Sequence, residues 1–471
     1  MNRGNLLLIG GACVLAAGVT LAVTASPLIA TGLAIILCLA IALMKYPWMG
    51  IAFLAVYLPF NGVVSSLLVK LGQAQFATVF GAAKDGVLIL LFVLVVFSPR
   101  IARVRPELFI IVLTIVGLGA VSGIGSSNVE QAAYGWRNDF LPLLLIIIVP
   151  AVLDRVNASR ISTVVVVAGQ GAGIVAIATW SRGIEWLYVL GRLPVPEGER
   201  FPSSLFSANS IEPRAFSPFS APNEMAVGFL IIMSFIWMMG DRKFGTRIAL
   251  SVLPVVAIVL SESRSGLLGL ACLAVVVVCL KLRDIRPGVA LAFASISGVA
   301  IGLTALAYVN VRIETGNDPS IGGHAASLRE SLQLLVQHPL GIGLGQVGPR
   351  ALRYDDNPVL VESFLLLLAL ESGPLVLVLY LALAGRIVSL AVKEPRAGAA
   401  HLGLVAIAAS LVSQIVLPTM QDGAVSYLLW IAVGIGLLHG QKRPGAGETD
   451  GVTSSGDAAF SRPESVLVGR R

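Results

Sequence analysis

The sequence predicts an all-α protein, a polytopic transmembrane helix bundle of 12–14 spans with a long outside loop that carries short helices. Three observations predict it. Of the 471 residues, 56% are hydrophobic and only 13% charged, whereas a soluble domain carries roughly 25% charged residues. The mean hydropathy is +0.88, which leaves too little polar surface to cover a water-exposed globule of this size. Apolar stretches near the length of a membrane-spanning helix recur from end to end. The 49 glycines and 24 prolines fit the same class, because both are tolerated in membrane helices.

A spanning helix needs about 20 largely apolar residues. Stretches of that kind run over 5–24, 27–44, 47–60, 78–98, 107–124, 138–153, 161–180, 222–240, 248–261, 265–281, 288–308, 374–392, 399–418 and 423–439. The short ones set the lower count of twelve. A second apolar run directly after 5–24 favours a first span there over a signal peptide, despite Arg3 and small residues near Ala25. With the N-terminus inside, more than half of the 33 Lys and Arg fall on the inside loops and tail, as in Asp241 to Arg247 and Lys281 to Arg286. This agrees with the positive-inside rule, so the net charge of +7 reports topology and not a nucleic-acid surface. The membrane domain is expected to cover 1–440. The polar, Ser/Gly-rich 441–471 reads as a disordered inside tail.

Two outside segments, about 181–221 and 309–373, exceed what a connector requires, and long loops are where function concentrates. The second contains an amphipathic pattern from Ser327 to Gln337. Outside arginines go against the charge bias and need a reason. Arg137 lies in Tyr134-Gly-Trp-Arg-Asn-Asp-Phe140, and Arg214 precedes Pro222-Asn223-Glu224 at a helix start. Arg264 lies in the Ser261-Glu-Ser-Arg-Ser-Gly266 turn, and Arg329 on the loop helix. One such arginine is ordinarily a snorkelling or carboxylate-paired side chain. Four together point to a ligand, and a guanidinium fork matches phosphate or diphosphate geometry.

A second constellation is Asp356-Asn357-Pro358, Glu362 and Glu371. At 100° per residue, Glu362 and Glu371 fall on opposite sides of a straight helix, so they are not an adjacent carboxylate pair. Glu362 suits a buried arginine partner or a general base, and Glu371 a helix-end residue before Gly373-Pro374. Gly341 to Gly345 has no preceding strand for dinucleotide binding and reads as a tight outside turn. His324 and His338 lack companions at metal spacing. Cys13, Cys38, Cys272 and Cys279 lie in apolar runs, and Lys84-Asp85 reads as a self-neutralising structural pair. No metal or cofactor site is expected.

Four of these segments carry a resemblance. Arg214 to Asn223, Ser263-Arg-Ser-Gly-Leu-Leu268, Arg329 with His338-Pro-Leu-Gly-Ile-Gly-Leu-Gly345, and Glu362 to Gly373 are similar, in order and spacing, to motifs of the O-antigen ligase and polysaccharide polymerase family. These are bacterial inner-membrane glycosyltransferases, and the likeness covers roughly 78–440. It implies a metal-independent enzyme with cytoplasmic termini that uses an undecaprenyl-diphosphate-linked glycan on the periplasmic side, with the outside loops periplasmic. In the ligase branch a histidine opens the last loop helix; here that position is Glu362, which favours the polymerase branch. The resemblance then assigns Glu362, Arg214 and Arg264 to catalysis, and Arg137, Arg329, Asn223, Glu371 and Asn357 to diphosphate or glycan binding. A chain-length regulator and a flippase are partners that such a system implies. A ligase onto lipid A core, and a lipid or solute transporter, are the competing readings. The absence of a clear internal repeat and the gathering of polar residues at the outer edge weigh against a transporter.

Overall fold

The computed structural model describes residues 41–192, 205–206, 212–297 and 319–441, apart from 125, 127, 241, 291, 295, 298–318, 356, 357 and 397. The expected span 5–24, most of 27–44 and 288–308, and the tail lie outside the described residues.

Within them the chain is helical, with strand pairing reduced to isolated bridges. The helices in chain order are α1 (Trp48–Lys70), α2 (Ala74–Val96), α3 (Pro106–Ile124), α4 (Val129–Asp139), α5 (Leu145–Val152), α6 (Arg155–Trp180) and α7 (Ile184–Val189). Then come α8 (Pro222–Met238), α9 (Phe244–Leu260), α10 (Arg264–Ile285), α11 (Pro319–Gln337), α12 (Phe364–Ser372), α13 (Pro374–Val392), α14 (Leu402–Val416) and α15 (Gly423–His439). Seven segments among the described residues are long and apolar enough to cross a membrane, and a bent helix pair makes an eighth if it counts as one span. That one bends by 40° between Val129–Asp139 and Leu141–Val152. Pro142 stands at the break, where its missing N–H and ring interrupt the helical ladder. Helices α8, α9 and α15 are apolar but only 17 residues each, about 26 Å at 1.5 Å per residue.

Helices α5, α8 and α15 form the centre. Their side chains are buried almost throughout, among them Ile146, Ile147, Phe229, Phe235, Leu428 and Ile431. Around them α1, α2, α3, α6, α9, α10 and α13 turn a second face outward, as with Val79 (68% exposed), Ile110 (63%) and Val167 (65%). Apolar side chains with no protein partner on the rim are what lipid would wet. Glycines permit close approach between helices. A Cβ on Gly269 would meet the Ala409 carbonyl at 2.6 Å, and one on Gly436 the Gly403 nitrogen at 2.9 Å.

The two ends of the bundle differ chemically. At one end arginines cap helix C-termini, a favourable placement for cations. Arg105 donates to Gly440 O (3.2 Å), Arg155 to Gln441 O (3.0 Å) and Arg283 to Glu394 O (2.8 Å). At the other end polar N-caps start the returning helices: Asn128 for α4, Ser263 for α10, Ser363 for α12 and Asp422 for α15. Two long segments cover this second end. Residues Leu187, Leu190, Leu205, Phe206 and Phe216 pack one small apolar cluster against Val63 and Leu67 of α1. Val347, Val361, Leu367 and Leu370 form another, against Leu334 and Leu335 of α11.

Candidate functional site

The N-capped end holds a seam of charge assembled from six separated segments. Asp85, midway along α2, bonds Lys84 Nζ at 2.9 Å and accepts from Tyr427 OH at 2.6 Å. Arg137 Nε of α4 lies 3.3 Å from the other Asp85 oxygen, and its guanidinium stacks 5.2 Å above the Tyr134 ring. Tyr134 OH accepts from Arg350 Nη1 at 3.0 Å, and Arg350 Nη2 lies 3.9 Å from Asp422 Oδ2. Glu224, in the first turn of α8, sits against Asp422 and within the fields of Arg350 and Arg192. Arg192 donates to Ser220 O (3.1 Å) and stacks on Phe216.

Charge at this depth is costly unless paired, and here Asp85 is paired with Lys84 and Arg137, and Asp422 with Arg350. Short helices make room for it. α8 and α15 begin at Pro222 and Gly423, so deep that a Cβ on Gly423 would strike Lys84 of α2. Asp422 has two jobs: Oδ1 caps α15 through Ala424 N (2.7 Å) and Val425 N (3.3 Å), while Oδ2 faces Arg350. The Asp85 and Asp422 side chains are each 8% exposed, and those of the arginines they hold 35% (Arg137) and 27% (Arg350). Each arginine is therefore backed by a buried carboxylate while part of its side chain stays exposed.

A second group adjoins it through Asn223, the neighbour of Glu224. Arg214 Nε donates to Ser261 O at 2.7 Å and Nη2 to Asn223 Oδ1 at 3.2 Å. Burial lowers its pKa from the ordinary guanidinium value, opposed by the charge of Glu262 in the same turn. Arg264 opens α10, which runs antiparallel to α14: Gly269 meets Ala409 near one end, and Arg283 reaches His401 near the other. Ser363 Oγ meets Gln414 O at the far end of α14, so Glu362 and Arg264 come to the same end of this helix pair.

The glycine segment 341–348 roofs the seam. Positive φ at Gly341, Gly343, Gly345 and Gly348 lets it thread between α4 and α12. Gln131 Nε2 donates to Gly345 O (2.8 Å), Ile342 N to Leu370 O (2.7 Å) and Gly348 N to Val359 O (2.8 Å). Beneath it the buried carboxyls of Glu371 and Asp139 face each other, 1% and 6% exposed. Burial first, and then the Asp139 charge, push the Glu371 pKa well above the usual carboxylate range, against the N–H groups of Gly345 and Val347.

The structure thus places Arg137 in the seam, and Arg214, Asn223 and Arg264 in the adjoining turn. Glu362 lies just before α12 and not on it, near the Arg264 end of the α10–α14 pair. Glu371 lies under the glycine segment, and Arg329 on the outward face of α11. Asn357 lies outside the described residues. Sequence reasoning missed Arg350, Asp422, Glu224, Tyr134 and Asp139. Asp422 and Glu224 at least carry a local signal, an acid in or before the first turn of an apolar helix. Arg350 carries none. The Lys84–Asp85 pair read as self-neutralising is present, but Asp85 also holds Arg137 and Tyr427.

A search of the curated proteins finds no match to this chain. Residues 249–381, from α9 through the loop helices into α13, match the family model described as O-Antigen ligase. Residues 249–381 are therefore similar to the O-antigen ligase family, and they lie within a bundle of helices long and apolar enough to cross a membrane, that of a multi-pass membrane protein.

Proposed function

We propose that the protein is a glycan polymerase that joins polyprenyl-diphosphate-linked saccharide repeats at the N-capped, periplasmic end of the bundle. The basic-loop end then faces the cytoplasm, in an inner membrane. One observation supports this reading above others. Arg137 and Arg350 are backed by buried carboxylates with their side chains still partly exposed, and such fixed cations are what a diphosphate leaving group needs. In the reaction, the bond between the anomeric carbon and the donor's phosphate oxygen breaks. A hydroxyl of the acceptor glycan forms the new glycosidic bond and gives its proton to Glu362. The released lipid diphosphate keeps the bonding electron pair, and Arg137, Arg350, Arg214 and Arg264 stabilise the charge that develops.

Membranes carrying Arg264→Ala or Glu362→Gln, supplied with lipid-linked repeat units, should make no long chains. Normal chain-length ladders from both would remove these roles. A ligase acting on finished glycan is the second reading, favoured by the description of the matching family model. Product separates the two: loss of a polymerase leaves single repeats attached to the acceptor, and loss of a ligase leaves none.

A further inference from the structure

Helix α11 has three faces. Ser331, Leu334 and Leu335 are turned into the protein; Ser331 is fully buried and the two leucines join the small cluster with Val347 and Leu367. Leu328 (50% exposed), Leu332 (47%) and Val336 (83%) point away from it. At 100° per residue these three occupy about 80° of arc. Beyond Arg329, at the edge of that arc, the remaining exposed positions are Gln333, Gln337 and Glu330. A helix whose outward surface divides into an apolar strip and a polar strip, with a cation on the boundary, is built for an interface between hydrocarbon and water.

The surroundings name the hydrocarbon. Just past the helix end, Leu340 is also exposed, at 88%. The Leu340 carbonyl approaches Gly373 so closely that a Cβ there would lie 3.1 Å away. Gly373 immediately precedes α13, a membrane-spanning helix whose exposed Leu375 (61%) and Val378 (60%) belong to the lipid-facing rim. The strip is thus joined to the bundle's lipid surface at the level where α13 enters the membrane.

We propose that α11 lies along the bilayer surface, with Leu328, Leu332 and Val336 inserted among phospholipid acyl chains and Arg329 at the level of the headgroup phosphates. The glycine segment that follows α11 would then be tethered to the membrane plane on one side and to α4 and α12 on the other. This holds whether or not the transferase reading does.

The test places a photo-crosslinking amino acid singly at 332, 336, 333 and 337 in the full-length protein, in nanodiscs of phosphatidylethanolamine and phosphatidylglycerol. All four positions are exposed, so the substitutions leave the packed face intact. Mass spectrometry after illumination should find phospholipid adducts at 332 and 336, about tenfold more than at 333 and 337. Adducts to a second copy of the chain, or to another segment of the same chain, would identify a protein cover and overturn the proposal. So would equal lipid labelling at all four positions, or no adducts at 332 and 336.

Discussion

Arg350→Gln tests the seam most directly, because Arg350 joins two parts of it. The substitution removes a charge-assisted hydrogen bond to Tyr134 OH and an ion pair at 3.9 Å to Asp422. Coulomb attraction at that separation is about 4 kcal/mol at an effective dielectric near 20, before desolvation is subtracted. Breaking a fully buried pair costs about 3–5 kcal/mol. Arg350 is 27% exposed, which brings the expected loss to about 2–3 kcal/mol. Much of that loss is the penalty of leaving Asp422 beside Glu224 without its ion-pair partner. Asp422→Asn removes this charge while its side-chain oxygen can still cap Ala424 N. The double variant should therefore lose less than the sum of the singles, by about 1–3 kcal/mol. The assay is a double-mutant cycle on denaturant or thermal unfolding in detergent, with transfer from a lipid-linked donor measured in parallel. Arg350→Lys, which keeps charge and loses the fork, should slow transfer by roughly a hundredfold if the fork grips phosphate. Strict additivity of the two singles would refute the coupling. A transfer rate unchanged in both Arg350 variants would refute the role.

Three further outcomes follow from particular contacts. Glu371 has its pKa raised in the fold, so its contribution to stability is full below the ordinary carboxylate range and is lost as pH rises through the raised value. Unfolding followed from about pH 5 to about pH 9 should show the wild type weakening more than Glu371→Gln, and parallel curves would contradict this. Gly345→Ala requires a side chain at φ +70 with its Cβ 2.6 Å from Gln131 O; it should cost about 2 kcal/mol and speed amide exchange across 341–348, and unchanged exchange would show that the segment is not held there. Arg386→Ala removes a half-open ion pair with Glu107 at the opposite end of the bundle, and should change stability by no more than about 1 kcal/mol and leave transfer unaltered.

Apolar run length determined the class of this protein and the position of most described helices without any tertiary knowledge, because a helix in lipid must satisfy its own backbone and clothe itself in hydrocarbon. Expected span 47–60 became Trp48–Lys70, and 138–153 became the inner part of a span that breaks at Phe140. Run length sees neither the polar first turn of α4 nor a proline kink. Charge placement likewise singled out Arg137, Arg214 and Arg264, since an arginine on the wrong side of the charge bias is visible one residue at a time. The seam itself was decided by packing alone. Asp85, Arg137, Glu224, Arg350 and Asp422 meet only because α2, α4, α8, a loop and α15 converge at one depth. Each is an ordinary polar residue in its own neighbourhood, and the energy that makes it significant belongs to pairs more than fifty positions apart.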